Sequence, residues 1–211
     1  MRHEAVRVRQ RPASWSQKRV DPLSHLTSTA LIASAFVGEE SRRKPLIGCA
    51  VVAGLAPDLD ALSLFGGMGC YVRYHQTLTH NLLVLPFLML AVSYIFWRHH
   101  GSGYRQLPVW LGFAALGAGW HLLLDWTISW GLALFWPFSS RTFCLGLILL
   151  TDPLFLLLCT AGCYAIFRLS YWHHRRLLVL LVFSFLFFHF LLRYLLLHRP
   201  HLLPPLSLSA L

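Results

Sequence analysis

The chain has 211 residues, 56% of them hydrophobic and only 12% charged, with a formal net charge of +10 and a mean hydropathy of +0.58. Such a balance excludes a water-soluble globular domain, in which charged residues make up about 25%. The eighteen Lys and Arg are spread over a tail and several loops, so they read as membrane-flanking charge and no nucleic-acid partner is expected.

In chain order, residues 1–23 form a basic tail carrying Arg2, Arg7, Arg9, Arg11, Lys18 and Arg19, expected to be disordered. A signal peptide cleaved after Ala33-Ser34-Ala35 is the less favoured alternative, because the apolar stretch after His25 is short and broken by Thr27, Ser28 and Thr29. Apolar runs follow at roughly 24–38, 45–62, 81–98, 107–127, 143–168 and 177–197, the first of them the weakest. Lipid offers no partners to an open sheet edge, so short apolar runs joined by short loops can satisfy their backbone only as helices. The expected fold is all-α: a polytopic transmembrane helical bundle of about five or six spans, one domain over 24–198, then a disordered Leu/Pro/Ser tail at 199–211. The composition and hydropathy place it as an integral protein of a membrane. Cys49, Cys70, Cys144, Cys159 and Cys163 show no metal-type pairing and read as packing residues. Gly54, Gly66, Gly67, Gly117 and Gly119 read as close-packing points, since no phosphate-loop pattern surrounds them.

The chain has eight acids. Glu4, Asp21, Glu39 and Glu40 belong to the tail or a loop, whereas Asp58, Asp60, Asp125 and Asp152 fall within or at the ends of apolar runs, where a carboxylate is costly without a partner. His121 and Asp125 are four apart, so on a helix they point the same way and can reach one ion together. Asp58 and Asp60, two apart after Pro57, suit a turn in which both belong to the site but only one is an essential ligand. Of His75 and His80, His80 is the stronger candidate because it opens an apolar run. Threading gives an independent check: with spans alternating in direction, His25, Asp58, Asp60, His80, His121, Asp125 and Asp152 all come to one side of the bilayer. Imidazoles with carboxylates form an N/O ligand set suited to zinc, manganese or iron, with zinc or manganese preferred. A bound ion of this kind activates water and polarises an ester, which is hydrolase chemistry.

These residues resemble the YdjM/YbcI-type family of membrane-bound metal-dependent hydrolases. The resemblance is carried by His25, Leu55-Ala56-Pro57-Asp58-Leu59-Asp60, the His75 to His80 block, His121-Leu122-Leu123-Leu124-Asp125, Trp136-Pro137-Phe138 and Asp152-Pro153, covering about residues 25 to 153. It implies a bacterial inner-membrane location. Two departures, His75-Gln76 and Thr79-His80-Asn81, remove a positive group that could hold substrate beside the metal, a role Arg141 or Arg73 could take. The ligand order is more distantly similar to that of zinc-dependent phospholipase C and the P1-type nucleases, without their later ligands. These readings give a membrane hydrolase in which His25, Asp58, His80, His121 and Asp125 hold one or two ions, Asp60 or Asp152 serves as base, and the substrate is a phospholipid or another phosphoester. Two other readings remain: a small ion or proton carrier, and a non-catalytic scaffold or regulator-binding protein with a structural metal. Basic residues in the loops opposite the site (Arg42, Arg43, Lys44, Arg98, Arg105, Arg168, Arg175, Arg176) argue for a site outside the cytoplasm, and the tail's six argue for the reverse. The balance leans to the cytoplasm.

Overall fold

The computed structural model describes residues 22–38, 42–100, 106–127, 131–145, 152–169 and 171–198. The basic tail before Pro22 and the tail after His198 therefore lie outside the described residues, and so does the expectation that they are disordered. Seven α-helices follow one another: α1 (Pro22–Ser34), α2 (Arg43–Leu55), α3 (Met68–Tyr74), α4 (Leu85–His100), α5 (Leu107–Thr127), α6 (Pro153–Arg168) and α7 (Trp172–His198). A 3-10 segment, Ala56–Gly66, continues α2.

Among the described residues, three helical stretches are long and apolar enough to cross a membrane: Arg43–Gly66, Leu107–Thr127 and Trp172–Leu195, with Pro153–Arg168 a shorter apolar helix. This differs from the expected five or six spans in identifiable places. The run at 24–38 becomes a helix of 13 residues, about 20 Å long and short of a hydrocarbon core of about 30 Å. Within the run at 143–168 the described helix is Pro153–Arg168, and Phe143 pairs with Leu132 in an isolated bridge. The run at 81–98 starts late, at Leu85, because Asn81 organises a turn ahead of it. The Asn81 side-chain amide donates to the carbonyls of Thr77 and Leu78, and its oxygen accepts the N–H groups of Leu83 and Val84.

α1 runs through the middle of the bundle, packed against α2, α5, α6 and α7. One face, with Ala30 and Ala33, joins a core built with α2, α4 and α5; the opposite side, with Leu31, joins a core of α5, α6 and α7. Its hydroxyls are accommodated by bonding back to the helix: Thr27 to Leu23 O at 2.8 Å and Ser28 to Ser24 O at 2.6 Å. Ser28 Oγ also accepts the Trp120 indole N–H at 3.0 Å, which ties α1 to α5. α2 and α5 approach most closely at Gly117, where an added Cβ would collide with the Ala50 carbonyl, and Gly54 faces the Gly117 carbonyl across the same seam. Gly119 and Gly67 have nothing near the position of a Cβ, so they are not packing points; Gly67 instead adopts φ +93°.

The ends of the bundle differ in charge. Asp58, Asp60, Asp125 and Asp152, the acids among the described residues, gather at the end where α1 begins and α5 finishes. The opposite end is basic and partly buried: Arg175 is fully buried and donates to Val37 O and Leu169 O, and Arg43 also donates to Leu169 O. These guanidiniums satisfy the carbonyl of Val37, just after α1, and that of Leu169, the C-cap of α6, where the helix dipole favours cations.

Candidate metal centre

Four elements deliver side chains to one buried point. α1 presents His25 from its first turn, the 3-10 segment presents Asp58, the turn before α4 presents His80, and α5 presents His121 and Asp125 from its last two turns. Gly117 lies one turn before His121 on the face where α5 meets α2, so the close approach at Gly117 sets the depth of that imidazole.

Asp125 is central. Its Oδ1 lies 3.2 Å from His25 Nε2, and its Oδ2 lies 3.2 Å from His80 Nε2 and 3.3 Å from His121 Nε2. Asp58 Oδ1 faces the same two rings at 3.8 and 3.7 Å. The Nε2 atoms of His80 and His121 are 3.0 Å apart, and the His25 ring stacks on His121 with centroids 4.0 Å apart. Side-chain exposure is 0% for His80 and His121, 3% for Asp125, 8% for His25 and 13% for Asp58, so any approach from outside comes past Asp58.

Asp60 is placed differently. A 3-10 helix turns once in about three residues, so two positions along it point to different sides. Asp58 therefore faces the cluster from one direction while Asp60 supports it from behind. Asp60 Oδ2 accepts from His80 Nδ1 at 2.9 Å and from the backbone N–H of Gln76 at 2.9 Å, and Oδ1 meets His75 Nδ1 at 2.8 Å. Gln76 adopts φ +59°, a conformation uncommon outside glycine that persists only where neighbours fix it. Here it aims the N–H at Asp60, while the Gln76 carbonyl accepts from Ala133 N. Thr79 Oγ1 donates to the Pro57 carbonyl and locks the His80 turn to the residue preceding Asp58.

The proton on His80 follows from this network. A carboxylate can only accept, so His80 Nδ1 carries the hydrogen and Nε2 of the neutral ring turns a lone pair into the cluster. Without a cation that Nε2 would carry a second proton: burial lowers the His80 imidazole, but the carboxylates of Asp125 and Asp60 more than offset this and raise it to about 9, and a bound ion would take the place of that proton. Tyr71, stacked on His75 with centroids 4.7 Å apart, has its phenol pushed up to about 12 by burial and then by Asp60, Asp58 and Asp125. Tyr71, stacked on His75, and Gln76, bonded to Asp60, were not expected as site residues; their signal in the sequence was their nearness to His75.

The residues fit a divalent cation. His25, His121 and Asp125 form one possible ligand group and Asp58, His80 and His121 another, each with its ligand atoms within 4.8 Å of one another. The carboxylate-to-imidazole separations of 3.2 to 3.8 Å bracket the ~3.4 Å edge of a tetrahedron with bonds of ~2.1 Å. Asp58 Oδ2, His25 Nδ1 and His121 Nδ1 are buried without a hydrogen-bond partner among the described residues. The Nε2 atoms of His25, His80 and His121 and the carboxylate oxygens of Asp125 and Asp58 converge on this point, an arrangement suited to a cation.

Asp152 lies outside the cluster. Its Oδ1 caps α6 by accepting Leu154 N at 3.0 Å and Phe155 N at 3.1 Å, and its Oδ2 takes Arg193 Nη1 at 2.8 Å with His189 Nε2 at 3.6 Å. His189 and Arg193, four apart on α7, thus meet one carboxylate and tie α7 to α6. Arg73 lies with its guanidinium 5.6 Å from the Tyr74 ring centroid, and Arg141 is exposed in the loop after α5; among the described residues neither makes a contact with the cluster.

An apolar helical bundle with membrane-spanning helices and a buried histidine–aspartate cluster at one end defines an integral membrane protein with a candidate metal centre. Residues 20–198 match the family described as YdjM inner membrane protein, and the chain belongs to that family. It is therefore an integral inner-membrane protein. It is also similar to Uncharacterized protein YfhP of Bacillus subtilis (strain 168), 27% identical over 121 residues, which is 56% of this chain and 36% of that protein. The match thus spans about a third of the relative's length. No solved structure gives a significant match.

Proposed function

We propose that the chain is a membrane-embedded metal-dependent hydrolase acting on a phosphoester or other ester, a membrane phospholipid being the substrate class to test first, with zinc or manganese as its ion. The observation that supports this reading is the convergence of His25, Asp58, His80, His121 and Asp125 on one buried point, with Asp60 orienting His80 from behind. When bound, such an ion supplies an activated water and a polarised ester oxygen. The chain's own contributions follow from its geometry. Asp60 holds His80 in the tautomer that points Nε2 inward, and Asp125 spans three imidazoles with its two oxygens. Asp58, the most exposed member, keeps Oδ2 without a partner and is placed to take a proton from an incoming water. Asp60 and Asp152, the bases expected from sequence, have both oxygens occupied by other groups and act as positioning and capping residues in this reading.

The near-complete burial of the cluster favours one competing reading, a structural metal in a non-catalytic scaffold. Elemental analysis of detergent-purified protein separates them from a metal-free alternative: one or two ions per chain are expected, lost in His121→Ala and Asp125→Ala at equal monodispersity. A well-folded wild type without metal overturns both. With metal present, turnover of phospholipid or phosphodiester substrates that disappears in Asp58→Asn supports the hydrolase, and ion retention without turnover supports the scaffold.

A further inference from the structure

A cavity of about 460 Å³ lies on the side of the bundle formed by α1, α5, α6 and α7, apart from the histidine–aspartate cluster. That volume is within the range of small-ligand sites, roughly 300–1,000 Å³. Its walls are apolar, with Ile32, Trp120, Phe155, Phe183 and Phe190 among them, and its charged lining residue is Arg176. The lining positions on α7 run from Arg176 to Phe190, about 21 Å along the helix axis, more than half of a hydrocarbon core of about 30 Å. The groove is therefore long, narrow in chemistry and cationic at one end only.

Arg176 sits where a lipid headgroup would. It is exposed at the start of α7, with its guanidinium 4.6 Å from the Trp172 ring centroid, an arrangement that holds the cation in place at the level where interfacial aromatics lie. The acids among the described residues are all at the opposite end of the bundle, so none of them faces Arg176. Next to it, Arg175 is fully buried and fixed to Val37 O and Leu169 O, which pins the start of α7 and with it the mouth of the groove.

We propose that this groove binds one acyl chain of an anionic phospholipid whose phosphate is held by Arg176. The occupant is a resident lipid and not the substrate of the metal centre, because its headgroup lies at the end of the bundle away from His25 and Asp125. The assignment is independent of the hydrolase reading.

The test is native mass spectrometry of the full chain released from nanodiscs containing equal phosphatidylglycerol and phosphatidylethanolamine. Wild type is expected to retain one phosphatidylglycerol per chain in preference to phosphatidylethanolamine by roughly threefold, because both offer the phosphate but the ethanolamine ammonium repels the exposed Arg176 guanidinium. Arg176→Gln should abolish that preference while leaving a lipid bound, and Ala35→Trp, which fills the groove, should remove both lipids. Metal content and thermal midpoint report folding of each variant. Equal retention of the two lipids by wild type, unchanged preference in Arg176→Gln, or unchanged retention in a folded Ala35→Trp variant would each overturn the proposal. So would lipid retention appearing only after residues 1–21 are deleted, since the tail would then be the groove's occupant.

Discussion

The division of labour between Asp58 and Asp60 is the residue-scale feature with the most consequence. Both stand in the same short motif, yet one oxygen of Asp58 remains without a partner while both oxygens of Asp60 are taken by His75, His80 and Gln76. A carboxylate behind a metal-binding imidazole fixes its tautomer and orientation, and losing it typically lowers metal affinity by about 10–100-fold. Asp60→Asn should therefore retain the fold and bind zinc about 10–100-fold more weakly in a competition titration, without the complete loss expected of His121→Ala. Unchanged affinity would show that His80 needs no partner. Asp152 makes the contrasting prediction. As an N-cap joined to Arg193, its replacement by Ala should destabilise the chain by about 0.5–2 kcal/mol from the cap alone, read as a lower thermal midpoint in detergent, while stoichiometric metal is kept. Metal loss from a folded Asp152→Ala variant would place this residue nearer the centre than its capping contacts do.

At the scale of elements, the i, i+4 spacing of His121 and Asp125 was legible because α5 is a regular helix, and the structure brings the two within 3.3 Å. The role of Asp60 was only half legible, since Pro57 signals a turn without showing that the turn is a 3-10 segment sending alternate carboxylates to different sides. Asn81 read as a departure from a family pattern, and its four hydrogen bonds show that it organises the turn carrying His80. α1 was the weakest apolar run for a physical reason: its Thr27, Ser28 and Ser34 hydroxyls bond back to the helix and let it serve as a buried core piece. The seam between α2 and α5 depends on Gly117, where a methyl group meets backbone and not a movable side chain. Gly117→Ala should force the helices apart, lower the yield of monodisperse protein and reduce metal occupancy through His121. Gly119→Ala, on the open face of the same helix, should do neither. Equal behaviour of the two variants in size-exclusion profile and metal content would show that the seam is not set by Gly117.

For the whole molecule, order along the chain was enough to place the cluster groups at one end, because antiparallel helices return alternate ends to the same level. Which face of the membrane that end meets depends on the distribution of basic residues. Eight basic residues were assigned to the opposite end, and the structure engages two of them, Arg43 and Arg175, as buried donors to the carbonyls of Val37 and Leu169. Six then remain to flank the membrane there: Arg42, Lys44, Arg98, Arg105, Arg168 and Arg176. The cluster end has the six of the N-terminal tail together with Arg73 and Arg141, and the first helix usually has the larger say in orientation. This favours a cluster end facing the cytoplasm, and the chain carries its own reporter. Cys144 is exposed in the loop after α5, at the cluster end of the bundle, whereas Cys49 and Cys159 are buried and Cys70 and Cys163 are partly buried. A membrane-impermeant maleimide should leave Cys144 unlabelled in intact cells under reducing conditions and label it once the inner membrane is permeabilised, with Cys144→Ser removing the signal. Labelling in cells with an intact inner membrane would reverse the orientation, and the metal centre would then face the periplasm.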